Sequence, residues 1–283
     1  LTARKALQAR SRVVAAFKHY FATDGHLQAF PMISEMFNAN RSHGLALEEA
    51  AKMEMATSLA MLSSGSNTTF WFLYQIFSDA IALQSVRKEL FDLSVEDPAS
   101  DVPKRRILSL NLIKTHCPTL MAMLHETLRY HSSVINIKQV QHDTVLADQY
   151  LLKKNAIVMI PGQSIHHEKE IWGTSADVFD HLRFMSPESK RRLSSTSAFR
   201  PFGAGASMCP GRHFSMNVIC SLVAMVVLQF DILPIEGQWN APTKRNADLW
   251  NAMPKPDRDI DVKIVKRVEE KEIEWKFVWA EEV

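Results

Sequence analysis

The stretch Ala198-Phe199-Arg200-Pro201-Phe202-Gly203-Ala204-Gly205-Ala206-Ser207-Met208-Cys209-Pro210-Gly211-Arg212 is the part of the chain best equipped for chemistry. It sets a cysteine among three glycines, Gly203, Gly205 and Gly211, just before a long apolar run. Glycine permits backbone geometry and close approach that side chains would block. A cysteine just before a helix faces unpaired N–H groups and the positive end of the helix dipole, which lowers the thiol pKa and stabilises the thiolate. Phe202 can shield the sulfur from water, and backbone N–H donors can tune its charge. The competing reading is a phosphate-cradling loop with a passive cysteine, but no strand or P-loop lysine accompanies the glycines. Cys117 and Cys220 occupy ordinary helical positions, where a free cysteine behaves as a small hydrophobe.

Two further segments carry chemistry. Leu124-His125-Glu126-Thr127-Leu128-Arg129 contains E-x-x-R, whose spacing of three puts Glu126 and Arg129 on one helix face, able to pair. Downstream, Phe179-Asp180-His181-Leu182-Arg183-Phe184 supplies a second arginine. The uncharged run from Met55 to Ser78 is long enough to span a bilayer, yet its centre is Ser63-Ser64-Gly65-Ser66-Asn67-Thr68-Thr69. Small and polar residues there favour a buried helix with a functional polar kink over a membrane span. A plain helix bend by side-chain back-bonding accounts for the same residues without function.

The elements that must position these residues are mostly helical. Residues 1–20 have apolar positions near helical spacing, followed by a loop with Gly25 and Pro31 and a polar turn from Asn38 to Gly44. Leu47 to Phe77 reads as one long helix and Leu83 to Leu93 as another, with a charged linker through Pro98 and Pro103. Pro118, at a favoured first-turn position, opens a helix through about Arg129, with Leu120, Leu124 and Leu128 on one stripe. Val134 to Val140, Tyr150 to Leu152 and Ala156 to Ile160 predict a small antiparallel sheet. Trp172 to Phe202 is irregular with short helices. Phe214 to Phe230 is an apolar core helix, and short strands such as Val262 to Ile264 follow. The Val268-Glu269-Glu270-Lys271-Glu272 run reads as solvated.

The cysteine segment resembles the ligand loop of the cytochrome P-450 superfamily, F-x-x-G-x-x-x-C-x-G, with Phe202, Gly205, Cys209 and Gly211 in its positions. The resemblance implies haem as cofactor, Cys209 as the iron ligand, and Phe202, Gly203, Gly205 and Gly211 as the cradle of the loop. It implies a buried network of Glu126, Arg129 and Arg183 beneath the haem, although His181 and Leu182 replace two residues of the family's P-E-R-F element. Where many members carry a basic residue two before the cysteine this chain has Ser207, which leaves Lys138 and Arg200 as candidate propionate partners. Ser64-Gly65-Ser66-Asn67-Thr68 matches the oxygen-activating motif, with Thr68 and Asn67 as catalytic candidates. Asn67 stands where an acid is usual, and an amide cannot cycle a proton at neutral pH. Asn67-Thr68-Thr69-Phe70-Trp71 is similar to the subgroup of sterol 7α-hydroxylases, prostacyclin synthase and many filamentous-fungal members.

The implied fold is mainly α with a small β region, the C-terminal haem-binding part of the P-450 fold. Residues 1–283 would form a partial domain, with 47–78 as the oxygen-activating helix, 117–130 as the E-x-x-R helix and 199–230 as the ligand loop and its helix. Leu1-Thr2-Ala3-Arg4 reads as mid-helix, so the expectation is a fragment lacking the N-terminal half and its membrane anchor. The implied function is hydroxylation of an apolar small molecule (sterol, fatty acid or secondary metabolite) with dioxygen. Electrons would come from an NADPH-cytochrome P-450 reductase docking near Arg191, Arg192 and Arg212, with the full-length form on the cytosolic face of the endoplasmic reticulum membrane. The alternatives are a peroxide isomerase or dehydratase, and a truncated product without catalysis.

Bulk properties agree. The 283 residues, 46% hydrophobic and 23% charged, suit a sizeable core. A net charge of +2 argues against nucleic acid as a partner. Three cysteines without a C-x-x-C pair exclude a disulfide scaffold and a cysteine-rich zinc site, and fit a reducing compartment.

Overall fold

The computed structural model describes residues 2–99, 105–195, 197–246, 251–267 and 273–279. Pro103 of the linker and the 268–272 charge run lie outside the described residues. The chain divides into two compact units, Leu1–Ser63 and Ser64–Val283.

The first unit holds helix α1 (Thr2–Ala22), helix α2 (Pro31–Ser42) and the first half of helix α3 (Leu47–Ser78). Val14, Phe21 and Ala51 form its small core, with Phe17, Ile33 and Phe37 packed around them. Phe21 stacks on Phe37 at 4.4 Å between ring centres. Helix α2 corrects the expected loop and polar turn over this region. Pro31 stands at the first helical position, where its missing N–H costs nothing, so it starts the helix instead of breaking it. Helix α3 opens with Glu48 and Glu49 against its positive end, and Glu49 accepts from the backbone N–H of Ala46 at 2.7 Å.

The second unit begins with the rest of α3. Helix α4 (Ala80–Leu93) starts three residues before the sequence suggests, because Asp79 caps it by accepting from the N–H groups of Ile81 and Ala82. Strands β1 (Val95–Glu96) and β2 (Arg105–Ser109) pair antiparallel, and the short helix α5 (Ile113–His116) leads into helix α6 (Pro118–His131). Eleven residues of α6 are buried, on its polar as well as its leucine side. Strands β3 (Ile135–Gln139), β4 (Thr144–Leu146), β5 (Tyr150–Leu152) and β6 (Ile157–Pro161) follow as two ladders, β3 with β6 and β4 with β5, both antiparallel.

Short helices α7 (Gly162–His166), α8 (Lys169–Trp172) and α9 (Pro187–Arg192) carry the irregular segment to helix α10 (Arg212–Gln229). Strands β7 (Phe230–Pro234) and β8 (Val262–Lys266) pair antiparallel, and β9 (Glu274–Val278) returns to pair parallel with β2. Strand β2 is not foreseen in the sequence, and β9 falls only under the general expectation of short strands after Phe230, since each gains its order from a partner about 170 residues away. The core joins Trp71, Phe72 and Ile76 of α3, Val86 and Leu90 of α4, the leucines of α6, Phe184, and Val223, Val227 and Leu228 of α10. Helix α10 is a core helix on one side only. Phe214, Val218 and Leu222, spaced four apart, form an exposed apolar stripe. It is the one helix among the described residues long and apolar enough to cross a membrane.

Candidate functional site

The cysteine loop is built from turns that its glycines permit. Gly203 and Gly205 have positive φ of 81° and 67°, a region that side-chain-bearing residues seldom enter. Gly203 N–H donates to Arg200 O at 3.0 Å, Met208 N–H to Gly205 O at 3.0 Å, and Cys209 N–H to Phe202 O at 2.9 Å. A Cβ on Gly203 would meet Asn136 Oδ1 at 3.3 Å, so strand β3 lies hard against the loop. Gly211 caps α10, and the loop delivers Cys209 three residues before the first helical residue. The unpaired N–H groups of that first turn therefore face the sulfur's end of the helix.

The three cysteines differ in what burial does to them. Burial pushes the Cys117 thiol up to about 12, helped by the charge of Glu89, and pushes Cys220 to about 12 as well. Both stay protonated, and a thiol is not a metal ligand. Cys209 is half-exposed, at a helix N-terminus, in a glycine cradle.

Cations gather beside the loop. Lys138, on β3, donates from Nζ to Ser207 Oγ at 2.6 Å, and so stands at the position two before Cys209 where the chain lacks a basic residue of its own. Arg200 has a buried Nε with no partner among the described residues, and the amide nitrogen of Asn136 is in the same condition. A buried donor without an acceptor is costly, so these atoms mark a place for an acceptor from outside the chain. Arg212 turns back onto Cys209, donating to its carbonyl at 3.1 Å. Arg192 is held by Glu188 at 2.6 Å and lies over the Trp172 ring, whereas Arg191 is exposed.

In the core, Glu126, Arg129 and Arg183 meet. Glu126 takes Arg129 in two hydrogen bonds of 2.8 Å, and its Oε1 also accepts from Arg183 Nε at 3.1 Å and Asp180 N–H at 3.0 Å. Carbonyls take the remaining guanidinium donors: His166, Ala176 and Val178 for Arg129, and Trp172, Ser175 and Val178 for Arg183. One carboxylate thus faces two guanidinium ions, and the surplus positive charge rests on carbonyl dipoles. Its reach is visible in Lys244, whose pKa burial and Arg129 together lower to about 8.

On α3 the helix runs unbroken through Gly65. Thr68 is buried and its hydroxyl donates to Ser64 O at 2.7 Å; Thr69 does the same to Gly65 O at 2.9 Å. Asn67 spends its amide on Met253 O at 2.9 Å, and Trp71 Nε1 donates to the adjacent Pro254 O. No hydrogen bond or ion pair among the described residues joins Asn67 or Thr68 to the cysteine loop. The 251–254 segment that grips α3 had no signal in the sequence, because it acts through backbone carbonyls that any residue supplies.

The family model described as Cytochrome P450 matches residues 32–258. The chain is 32% identical over 284 residues to the cytochrome P450 monooxygenase nodJ of Hypoxylon pulicicidum, covering 98% of this chain and 55% of that protein. A cytochrome P450 monooxygenase of Gibberella zeae is 26% identical, covering 84% of this chain and 47% of its own. The 5-beta-cholestane-3-alpha,7-alpha-diol 12-alpha-hydroxylase of Sus scrofa is 28% identical, covering 71% and 42%. The chain spans about half the length of these relatives.

Proposed function

The chain belongs to the cytochrome P450 family, and from that premise we propose that it is the haem-binding part of a monooxygenase acting on an apolar small molecule. The observation that carries this reading is Cys209: half-exposed, ahead of α10, in a loop shaped by Gly203 and Gly205, while the other two cysteines are held as thiols. Haem fits these residues, with Cys209 as the iron ligand and with Lys138 and the Nε of Arg200, which has no partner among the described residues, as partners for acidic side groups. When bound, haem supplies dioxygen activation, which a thiolate ligand favours by donating electron density. The chain's own part is to hold the sulfur in place ahead of α10. Phe202 limits water at the sulfur, and the Glu126–Arg129–Arg183 network fixes the segment beneath it.

The substrate class follows the relatives, whose names include a steroid hydroxylase and fungal monooxygenases; a sterol or an apolar secondary metabolite suits it. A flavoprotein reductase would supply electrons, with exposed Arg191 as the basic contact most free to serve, in a full-length form at the endoplasmic reticulum membrane. A second reading, rearrangement of a peroxide without reductase, is favoured by Asn67 itself, an amide that cannot cycle a proton and that donates instead to Met253 O.

The test begins with the haem-reconstituted chain, reduced with dithionite under carbon monoxide. A strongly red-shifted Soret band that disappears in Cys209→Ser supports the thiolate reading. No haem uptake by the chain or by a longer form carrying Cys209 would sink it. Turnover of a lipid hydroperoxide without NADPH would move the reaction to the peroxide class.

A further inference from the structure

The ring of His166 has no place in the roles described above, yet it joins the two halves of the site. His166 is the last residue of α7 and is fully buried. Its carbonyl accepts from Arg129 Nη1 at 2.5 Å, so the arginine of the network holds its backbone. Its ring lies between Ser132, the residue capping α6, and Arg200, where the cysteine loop begins: Nδ1 is 3.2 Å from Ser132 Oγ, and Nε2 is 2.9 Å from Arg200 N.

A backbone N–H can only donate, so Nε2 accepts and the ring proton sits on Nδ1, pointing at the serine oxygen. The ring is neutral, and burial with the charge of Arg129 keeps it so by lowering its pKa to about 3. The contact with the loop is tight from a second side. A Cβ on Gly162, at the start of α7, would stand 2.8 Å from Val134 O and 3.5 Å from Arg200 Cγ. From Arg200 the bonds run on without a gap: Arg200 O accepts from Gly203 N–H, and Phe202 O accepts from Cys209 N–H.

We propose that His166 is a positioning residue for the cysteine ligand, its Nε2 fixing the Arg200 amide and so transmitting the placement of the Glu126–Arg129 network to Cys209. It touches neither substrate nor cofactor and acts through the loop. The inference rests on the thiolate reading above for its consequence, but the hydrogen bond itself can be tested without haem.

Three variants separate the two ends of the ring. His166→Gln can place a carbonyl oxygen near Nε2 and accept from Arg200. His166→Asn ends nearer Nδ1, reaching Ser132 but not Arg200. His166→Phe keeps the flat shape beside Phe199 and removes both bonds. Amide hydrogen exchange over residues 198–210 of the chain is followed, together with the Soret band of the reduced carbon monoxide complex. The expected result is exchange at Arg200 and Cys209 at least tenfold faster in His166→Phe and His166→Asn, with part of the band moving to the position of a protonated thiol. His166→Gln restores both signals. Unchanged exchange in folded His166→Phe and His166→Asn overturns the proposal, as does a Gln variant no better protected than Asn. If Phe fails to fold, the Gln–Asn comparison decides. If the unsubstituted chain gives no thiolate band, the functional reading fails, while the exchange result still judges the hydrogen bond.

Discussion

Glu126 carries more than its share of the site, because one carboxylate answers two guanidinium ions out of reach of water. Burying charges repays its desolvation cost only when partners are complete, and removing one partner typically costs about 3–5 kcal/mol. Glu126→Gln keeps the shape and one acceptor oxygen but leaves Arg129 and Arg183 with no counter-charge. The expected outcome is a loss of about 3–5 kcal/mol in urea unfolding, read as a lower midpoint at unchanged slope. A loss below about 1 kcal/mol, the size of a surface pair, would mean that water reaches these groups. The pairing of Glu126 with Arg129 was legible from spacing alone, since residues three apart share a helix face. The depth of the pair was not. It depends on carbonyls of Trp172, Ser175, Ala176 and Val178, which carry no mark in the sequence because every residue has a carbonyl.

Helix α6 holds this network, and its start is fixed from another helix. Pro118 gives the first turn its φ, but the N–H groups of Thr119 and Leu120 are satisfied by Glu89 of α4, at 2.8 to 3.2 Å. The carboxylate caps α6 as an aspartate would within one helix, and its charge also suits the positive end of the dipole. Glu89→Ala is therefore expected to cost about 1–2 kcal/mol, and Glu89→Gln less, because the amide oxygen still accepts. Thermal unfolding of the two variants checks the order; equal losses would show that the bonds to Thr119 and Leu120 contribute nothing. The pattern of what could be foreseen is the same at this scale. Long helices such as α3 and α6, and the strand Tyr150–Leu152, follow from periodicity and local breakers. Helix α2, with two apolar residues against a small core, and β2 with its distant partner β9, depend on contacts that no local window contains.

Across the whole molecule the most consistent electrostatic feature is a set of histidines held neutral. Burial lowers His125 to about 4, lowers His131 well below the usual imidazole range with help from Lys244, His167 and Arg129, and lowers His166 to about 3. Each has a folded pKa below its unfolded value near 6.5. Between those values the unfolded chain binds protons that the folded chain refuses, so stability is full above about pH 6.5 and falls as the pH drops. Each group contributes a slope of about 1.4 kcal/mol per pH unit, or about 4 kcal/mol per unit for the three together. Glu54 acts in the opposite sense: burial raises its pKa, so its contribution is lost as the pH rises. One group against three leaves the net direction unchanged. Urea midpoints should hold level from pH 7.5 to about 6.5 and then fall steadily down to 4.5, with no plateau below 6. His125 sits edge-on to Phe184 and Phe199, so His125→Phe can fill its place without a charge to refuse. That variant should lose one proton's worth of slope and keep the rest. A slope equal to that of the unsubstituted chain would mean that His125 does not titrate on unfolding, and that acid sensitivity resides in the two histidines nearest Arg129.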